Sequence, residues 1–384
     1  MQVYVDNAAT SQAKPPSVLQ AIEYYFKEIN SNPGRGGYEL SLEAGRKVLE
    51  ARETLARFFN VPNPNQIIFT SNITEALNTA IQGLLQPNDH VLITGLEHNA
   101  VVRPLKFLEK IGVSYSIIPT SREGLIEPSS VEKVLQPNTK MIVATHASNV
   151  AGTIVPLKEI GEIAAAHGLY FVIDTAQTAG CLPLDFQNLK ASVLAFTGHK
   201  HLLGPMGIGG FCVREDVAEI MRPLYVGGTG SISDQDVQPD FLPDKFESGT
   251  LNTLGIVGLA AAVEYISKVG LDKIREREII LTKYLLEGLL ELPEITVYGP
   301  RNPQLQTGTI ALNAAQMDNA ELCYVLDQQF KIMTRPGLHC APLAHKTLGT
   351  FPEGALRISI GHYTTEQEIA YVLDSLKKIL ARSC

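Results

Sequence analysis

The chain has 384 residues, of which 45% are hydrophobic and 19% charged, and its formal net charge is −8. This length suits two domains or one large α/β unit, and the composition is that of an ordinary globular protein. The acidic balance argues against a nucleic-acid partner or a membrane surface, since both favour basic patches. The start, MQVYVDNAAT, lacks the basic region of a signal peptide, and no apolar stretch has the length of a membrane span. We therefore expect a cytoplasmic protein.

Short apolar runs alternate with amphipathic segments through the first two thirds of the chain. The runs are continuous rather than alternating, as expected for strands that are covered on both faces. They predict strands at 66–71, 90–95, 140–148, 170–177 and 192–199. The segments between them predict helices at 74–85 and 157–168. This alternation favours a mostly parallel sheet with helices on both sides.

The pattern changes after residue 250, where long helical periodicities follow one another. They predict helices at 252–270, 272–292 and, closing the chain, 365–380. Shorter apolar runs predict strands at 295–300, 307–314 and 355–361. We expect a large domain over residues 15–265 and a smaller α+β domain formed by residues 1–14 and 266–384.

Five cysteines are spread widely along the chain, and none forms a C-x-x-C pair. The sequence therefore suggests neither a zinc site nor a disulfide framework. Cys181, Cys212 and Cys323 lie in apolar or turn-like surroundings that favour burial. Cys340 differs, because RPGLHCAPLAHKTLG (335–349) has neither strand alternation nor helical periodicity and is predicted to be a loop. Loops often carry function, so Cys340 could be a nucleophile, a metal ligand or a small residue in a turn.

The stretch FTGHKHLLGPMGIGGF (196–211) places Lys200 where a buried strand ends. A lysine at such a position is costly unless it is paired or used chemically. One use is a Schiff base with an aldehyde cofactor. A solvated loop lysine is the more common alternative for any lone lysine. A Walker-type phosphate loop is excluded, since G-x-x-x-x-G-K-[ST] is missing.

Two further strand ends carry polar residues. FVIDTAQ (171–177) puts Asp174 at the carboxyl end of a strand, where doubly wound sheets bind ligands. A buried carboxylate needs a cationic partner, such as the pyridinium nitrogen of pyridoxal phosphate, although a helix N-cap is an equal alternative. TSNITEALNTA (70–80) is a strand–turn–helix start that favours a phosphate, and plain N-capping explains it equally well. Together with Lys200, these ends account for a ring nitrogen, a phosphate and an aldehyde.

In combination, the motifs resemble those of pyridoxal-phosphate enzymes of fold type I, aminotransferase class V, and among these the cysteine desulfurases. The resemblance extends from VYVDNAAT to LRISIGHYTTEQEI and rests on EHNAVV, HASNVAGT, DTAQ, TGHK, FESGTLNT and RPGLHCAPL. It implies an α/β fold, with a mostly parallel sheet flanked by helices in a large domain and a smaller α+β domain beside it. The short segment between Cys340 and Arg357 resembles the group II desulfurases. Ser192, Asn99 and Pro336 depart from residues that are common among relatives.

The resemblance implies a role for each matching residue. Lys200 would hold the cofactor covalently and remove the substrate's α-proton, and Cys340 would take the sulfur as a persulfide. His98 would stack on the pyridine ring and shuttle a proton, while Asp174 and Gln177 would contact the ring nitrogen and ring oxygen. The phosphate would be bound by Ile73 through its backbone N–H, by Thr74, Thr197 and His199, and by Thr250 of the neighbouring subunit of a homodimer.

Substrate binding is expected at Arg357, whose bidentate fork would clamp the carboxylate of L-cysteine, and at Asn149 beside the cofactor. Taken alone, Arg357 could equally form a domain-interface ion pair, and His98 and Asn149 could lie in surface turns. His339, if it approaches Cys340, could favour the thiolate.

The implied products are L-alanine and sulfur for an acceptor, expected to be a protein of iron–sulfur cluster biogenesis. The alternatives are a selenocysteine lyase, a C–S lyase or an epimerase on the same scaffold, and a non-catalytic binding protein.

Overall fold

The computed structural model describes residues 1–34, 36–315 and 317–381. These residues form the strands β1 (Val3–Tyr4), β2 (Ile67–Thr70), β3 (His90–Ile93), β4 (Ser114–Ile117), β5 (Thr139–Thr145), β6 (Tyr170–Asp174), β7 (Val193–Thr197), β8 (Gly209–Val213), β9 (Ile295–Tyr298), β10 (Thr309–Ala314), β11 (Ile332–Met333), β12 (Arg335–Gly337) and β13 (Ala355–Ser359). They form the helices α1 (Pro16–Tyr24), α2 (Glu39–Phe59), α3 (Ile73–Leu84), α4 (Asn99–Leu108), α5 (Leu157–Ala166), α6 (Glu215–Ile220), α7 (Thr253–Val269), α8 (Leu271–Leu290), α9 (Asn319–Phe330), α10 (Pro342–Leu348) and α11 (Glu366–Leu380).

The larger sheet has seven strands in the order β2–β8–β7–β6–β5–β3–β4. Its strands β4, β3, β5, β6 and β7 are parallel, and β8 runs antiparallel to both of its neighbours. Because β2 and β7 both oppose β8, they point in the same direction as the parallel set. The predicted fold class, α/β with a mostly parallel sheet, is confirmed.

Both faces of this sheet are buried except at its edge strand β4, which explains why the other strands read as mostly continuous apolar runs. Alternate residues face opposite ways: Ile142 and Ile173 belong to one hydrophobic core, and Val143 and Val172 to the other. Helices α2, α5 and α7 supply side chains to the first core. Helices α3, α4 and α6 supply them to the second. The sheet is thus the middle of three layers.

A second, antiparallel sheet has the order β12–β13–β10–β9. Its core includes side chains of α8, α9 and α11, together with Val3 and Val5 from the start of the chain. Strand β1 pairs in parallel with β11, so the N-terminal segment packs against residues far along the chain. The division into domains near residue 265 stays a prediction, and its last residues, 382–384, lie outside the described ones.

The two longest helices after residue 250 meet at a sharp bend. The axes of α7 and α8 differ by 79° across this break. Gly270 between them has φ +91°, a left-handed conformation that glycine adopts without steric cost. Within the described ranges, no single helix is long and apolar enough to cross a membrane, although this bent pair passes by length and composition alone.

The loop prediction for 335–349 is wrong over most of its length. Strand β12 begins the stretch and helix α10 occupies most of its second half, so only 338–341 and the final Gly349 lie outside regular structure. Pro342 at the first helical position and Gly349 with φ +79° after the last one are ordinary start and stop signals. In so short a helix, three buried residues (Ala344, His345 and Leu348) give too little periodicity to predict it.

Candidate active site

Several predicted residues meet at one edge of the large sheet. Strand register places Thr145 beside Asp174, and it places Thr197 beside Gly209, which in turn faces Thr70. The carboxyl ends of β2, β5, β6 and β7 therefore lie together, as expected for a ligand site in a sheet of this kind. Gly209 also lets the backbones approach closely, since a Cβ there would lie 2.9 Å from the carbonyl carbon of Asn72.

Lys200 follows β7 by three residues, and the N-terminal segment holds its backbone. The Ser11 hydroxyl donates to the Lys200 carbonyl at 2.9 Å, and the Lys14 ammonium donates to the His199 carbonyl at 2.9 Å. Burial lowers the pKa of Lys200 to about 8, while the charge of Asp174 acts in the opposite direction. A neutral amine, the form that reacts with an aldehyde, is therefore accessible near neutral pH.

Asp174 and Gln177 lie buried at the end of β6. The Asp174 carboxylate accepts a hydrogen bond from the Ala176 N–H at 2.8 Å. Burial raises the pKa of Asp174, and the hydrogen bond from Ala176 and the charge of Lys200 lower it. The Gln177 amide donates to the Ala8 carbonyl at 3.0 Å. A buried carboxylate of this kind is suited to a cationic ligand atom.

His98 is the N-cap of α4, where its Nδ1 accepts from the Ala100 N–H at 3.0 Å. Burial, followed by the charge of Lys200, lowers the pKa of His98 to about 4, so the ring is neutral at pH 7. The preceding residue, Glu97, is fully buried and was not predicted to belong to the site. Glu97 accepts from the Thr94 hydroxyl at 2.6 Å and from the Thr145 N–H at 2.8 Å, and burial raises its pKa to about 8. Its place in the EHNAVV motif was the available signal.

Cys340 is exposed and lies in the short turn between β12 and α10. The Asn99 N–H donates to the Cys340 carbonyl at 2.8 Å, which joins the turn to the start of α4. Cys340 lines an open cleft of about 320 Å³ together with Thr74, His98 and Arg103. Cys340 therefore borders the same space as two of the predicted cofactor-binding residues, Thr74 and His98.

Asn149 connects this turn to Arg357. The Asn149 side-chain amide donates to the His339 carbonyl at 2.8 Å, and Arg357 Nη1 donates to the Asn149 carbonyl at 3.0 Å. Asp6 accepts from Arg357 Nη2 at 2.7 Å and from Arg335 Nε at 3.1 Å. Asp6 belongs to the VYVDNAAT motif, and this role was not predicted for it. The Arg357 fork is thus fixed in place by an internal carboxylate and a carbonyl.

His339 does not supply a positive charge to Cys340. Its Nδ1 lies 3.3 Å from Nε2 of His345, and its Nε2 lies 3.1 Å from the Arg335 carbonyl. Burial, with a contribution from Arg357, lowers the pKa of His339 to about 3. The ring is therefore neutral at pH 7, and the sequence-based suggestion that it favours the thiolate has no support here.

The remaining phosphate candidates divide into two places. Ile73 and Thr74 begin α3, whose N-cap Asn72 accepts from the Glu75 N–H at 3.0 Å. Thr250 is exposed in a different cleft of about 480 Å³, beside the ion pair of Arg52 and Glu247. Within one chain, Thr250 is not brought together with the other candidates. The sequence-based expectation assigned it to the neighbouring subunit.

Buried polar atoms without partners surround the sheet edge. Such atoms are rare in proteins and fit a ligand that offers complementary groups. Among the residues that the structure describes, these atoms include Asn149 Oδ1, Gln177 Oε1, Thr197 Oγ1, His199 Nδ1 and Arg357 Nε. All five belong to residues that the sequence predicted for cofactor or substrate binding.

One cluster near this edge has the composition of a metal site. Cys181, His201 and Glu278 offer ligand atoms within 4.8 Å of one another. Glu278, however, already accepts from Arg275 at 2.7 Å and from the Gly308 N–H at 3.0 Å. The neighbouring guanidinium opposes a cation, so we assign no ion to this cluster.

The chain belongs to the aminotransferase class-V family, which it matches over residues 3–372. The enzymes of this family depend on pyridoxal phosphate. A protein of Methanothermobacter thermautotrophicus, named a probable cysteine desulfurase, is 36% identical over 98% of this chain and 94% of its own length. A cysteine desulfurase of Haloferax volcanii is 32% identical over 97% of this chain and 88% of its own length.

Solved structures give the same result for the fold. The apo structure of a cysteine desulfurase from Thermococcus onnurineus superimposes with a TM-score of 0.92 at 34% identity, covering 99% of this chain and 95% of that one. An Escherichia coli cysteine desulfurase in its S-sulfonic acid form superimposes with a TM-score of 0.87 at 26% identity, covering 99% of this chain and 95% of that one. The predicted fold type I architecture is therefore confirmed.

The residues at the sheet edge fit pyridoxal phosphate. The unpartnered Thr197 hydroxyl and His199 Nδ1 suit a phosphate, and the start of α3 lies at the same edge. The buried Asp174 suits a protonated ring nitrogen, and Lys200 suits the aldehyde. These atoms offer complementary chemistry for three separate parts of the cofactor.

Proposed function

We propose that this chain is a pyridoxal-phosphate-dependent cysteine desulfurase that converts L-cysteine to L-alanine and passes the sulfur through Cys340 to an acceptor. One observation carries the proposal: exposed Cys340 shares a cleft with His98, and hydrogen bonds join its turn to Asn149 and from there to Arg357. The relatives named cysteine desulfurase add support.

The reaction that this arrangement favours is a sulfur transfer balanced in atoms and electrons. The Cys340 thiolate attacks Sγ of the substrate, the Cβ–Sγ bond breaks, and an S–S bond forms on Cys340. The electron pair of the broken bond stays with carbon, which takes up a proton to become the methyl group of alanine. Cysteine and the thiol thus give alanine and a persulfide, with no external oxidant or reductant.

Pyridoxal phosphate, when bound, supplies an electron sink for negative charge that develops next to the substrate's Cα. Lys200 would hold its aldehyde and move a proton at Cα, for which its lowered pKa of about 8 is suitable. Asp174 would keep a proton on the ring nitrogen, Gln177 would contact the ring oxygen, and His98 would lie against the ring.

The other binding groups would orient the two ligands. Phosphate contacts are proposed for Ile73, Thr74, Thr197 and His199. Arg357 would bind the substrate carboxylate, with Asn149 beside it. Because its two Nη atoms already donate to Asn149 and Asp6, the unpartnered Arg357 Nε is the donor in place for this contact.

A product assay tests the activity. Holoenzyme incubated with L-cysteine and a reductant should release sulfide and alanine in equal amounts. Pyruvate and ammonia in place of alanine would identify a C–S lyase instead. Turnover of selenocysteine without turnover of cysteine would favour a selenocysteine lyase.

We also propose a homodimer in which Thr250 reaches the phosphate of the partner's cofactor. The exposed position of Thr250, in a cleft apart from its own chain's sheet edge, favours this arrangement. Mixed dimers of Lys200→Ala and Thr250→Val chains test it. A contribution across the interface would restore one complete site and raise activity above either parent, whereas a contribution within the chain would restore none.

The wider setting stays a prediction. A protein acceptor in iron–sulfur cluster biogenesis, a cytoplasmic location and a domain division near residue 265 all rest on the sequence. Transfer of labelled sulfur from Cys340 to a candidate scaffold protein would test the first.

A further inference from the structure

The turn that carries Cys340 has an unusual backbone. His339 has φ +49° and Cys340 has φ +56°, so two consecutive residues that are not glycine adopt the left-handed conformation. Such residues are uncommon and persist only where surrounding contacts hold them. The Asn99 N–H and the Asn149 amide hold the two carbonyls of this turn from the cofactor side. A third set of contacts holds it from the opposite side.

That third set is a hydrogen-bonded chain of buried side chains. His339 Nε2 lies 3.1 Å from the Arg335 carbonyl, which can only accept, so His339 carries its proton on Nε2. His339 Nδ1 must then accept from His345 Nε2 at 3.3 Å. His345 Nδ1 in turn accepts from the Thr350 hydroxyl at 2.7 Å. With both imidazoles neutral, this is the one arrangement of protons that satisfies the whole chain.

The packing supports the same state. The two imidazole rings are stacked with centroids 5.5 Å apart and planes 20° apart, and His345 is fully buried. The charged groups that act on the pair are Arg335 and Arg357, and both disfavour a second positive charge. Burial lowers the pKa of His345 to about 4 and that of His339 to about 3, so the neutral chain persists throughout the physiological range.

We propose that the chain Thr350–His345–His339 is a positioning unit that holds the left-handed turn and thereby keeps Cys340 Sγ aimed into the cleft beside His98. These residues touch neither the cofactor nor the substrate in this role, and they act through the backbone of Cys340. The consequence for sulfur transfer rests on the proposed function. Attack on the substrate's sulfur requires near-contact alignment, and a loosely held thiol loses rate for that reason alone.

Two substitutions at one position separate hydrogen bonding from packing. His345→Phe keeps a flat buried ring and removes both hydrogen bonds, whereas His345→Gln keeps a donor and an acceptor. His90→Phe is the matched control: His90 is a buried histidine bonded to Thr139 at 2.8 Å and Ser116 at 2.9 Å, at the far side of the large sheet. The holoenzymes are compared by the rate of sulfur gain on Cys340 in a single turnover, measured by mass spectrometry.

In His345→Phe this rate should fall about tenfold or more, with the KM for cysteine and the visible absorbance of the cofactor unchanged. His345→Gln should stay within about threefold of the wild type, as should His90→Phe. A rate in His345→Phe within about twofold of the wild type would overturn the proposal. So would an equal fall in His90→Phe, because that would reflect general destabilisation.

A second readout does not depend on the desulfurase activity. A trifluoromethyl label is attached to Cys340 in a background with Cys323 and Cys384 replaced by serine, and its ¹⁹F resonance is recorded. A single narrow line in the parent and in His90→Phe, with a shifted or split line in His345→Phe, supports the positioning role. An unchanged line in His345→Phe overturns it. If the wild type gains no sulfur on Cys340, the proposed function fails, and the ¹⁹F result still decides this inference.

Discussion

The two halves of the candidate site are held by different forces. At the sheet edge, Asp174 and Thr197 end strands whose register is set by ladders of backbone hydrogen bonds between buried apolar residues. At the turn, Cys340 is held by hydrogen bonds from Asn99 and Asn149 and by the histidine pair behind it. The sheet edge therefore changes only if the core of the protein changes. The turn can be altered by removing single side chains. We therefore expect substitutions in the turn that abolish sulfur transfer to Cys340 to leave cofactor binding intact.

The largest effect is expected at the sheet edge, from Lys200→Ala. The variant lacks the amine that would hold the aldehyde and move the α-proton, so turnover should fall by roughly 10⁴-fold or more, with the visible absorbance lost. Borohydride reduction of the wild-type holoenzyme followed by peptide mapping should label Lys200. Lys14 is the internal control, since burial also lowers its pKa to about 8. Label on Lys14 in place of Lys200 would refute the assignment.

The second largest effect is expected in the turn, from Cys340→Ser. It should bind the cofactor with unaltered absorbance, because the sheet edge is untouched, yet form no persulfide. A hydroxyl is a far poorer nucleophile toward sulfur than a thiolate, so alanine formation should fall by roughly 10³-fold. Brief exposure of the wild type to L-cysteine without reductant should add one sulfur to the peptide containing PGLHCAPLAHK.

Cys323→Ser is the matched control for this substitution. Cys323 is partly buried, and its Sγ lies 3.5 Å from the Thr334 carbonyl, away from the cleft that Cys340 lines. Turnover in this variant should match the wild type. Undiminished sulfide release from Cys340→Ser, with pyruvate as the product, would mean that the thiol takes no part.

The same contrast explains how much the sequence could predict. The apolar runs and the polar residues after them predicted the sheet, and with it the positions of Lys200 and Asp174, because strand ends in a parallel sheet meet at one edge. The helix–strand structure around Cys340 was not predicted, since its contacts come from residues distant in sequence. Asp6 was missed for the same reason, because its partner Arg357 lies 351 residues away. Glu97 was missed because one buried carboxylate leaves no periodic signal.

Asp174→Asn should have a smaller effect than either of these substitutions. The amide keeps the shape of the side chain but cannot hold a proton on the ring nitrogen, so the electron sink weakens and turnover should fall by roughly 10²-fold. Cofactor content, measured by absorbance after release in alkali, should remain close to one per chain. The control is Asp185→Asn, which changes a partly exposed carboxylate that accepts from the Asn60 side-chain amide at 2.9 Å. Near-normal turnover of Asp174→Asn with bound cofactor would contradict the proposed role.

The smallest expected effect concerns the pH dependence of stability, to which each of the two regions contributes one buried histidine. The backbone N–H of His146 donates to the Asp174 carbonyl at 2.8 Å, and its ring Nδ1 lies 2.9 Å from the Thr178 hydroxyl, which places the imidazole near the sheet edge. His345 supports the turn through its bond with Thr350. Burial lowers the pKa of each to about 4. The unfolded chain, with a histidine pKa near 6.5, then binds more protons than the folded one, so stability is full above pH 6.5 and declines as the pH falls toward 4.

Between pH 7 and 5.5, each histidine should lower the free energy of unfolding by about 1 kcal/mol. His146→Gln and His345→Gln should each remove about that much of the pH dependence of the free energy of unfolding, measured with urea at both pH values, while exposed His167→Gln controls for the substitution itself. If both substitutions reduce the pH dependence of the free energy of unfolding equally, the sheet edge and the turn unfold together. If only His146→Gln reduces this pH dependence, the turn opens before the rest of the protein unfolds. If neither substitution reduces it, the proposed neutral state of buried His146 and His345 is refuted.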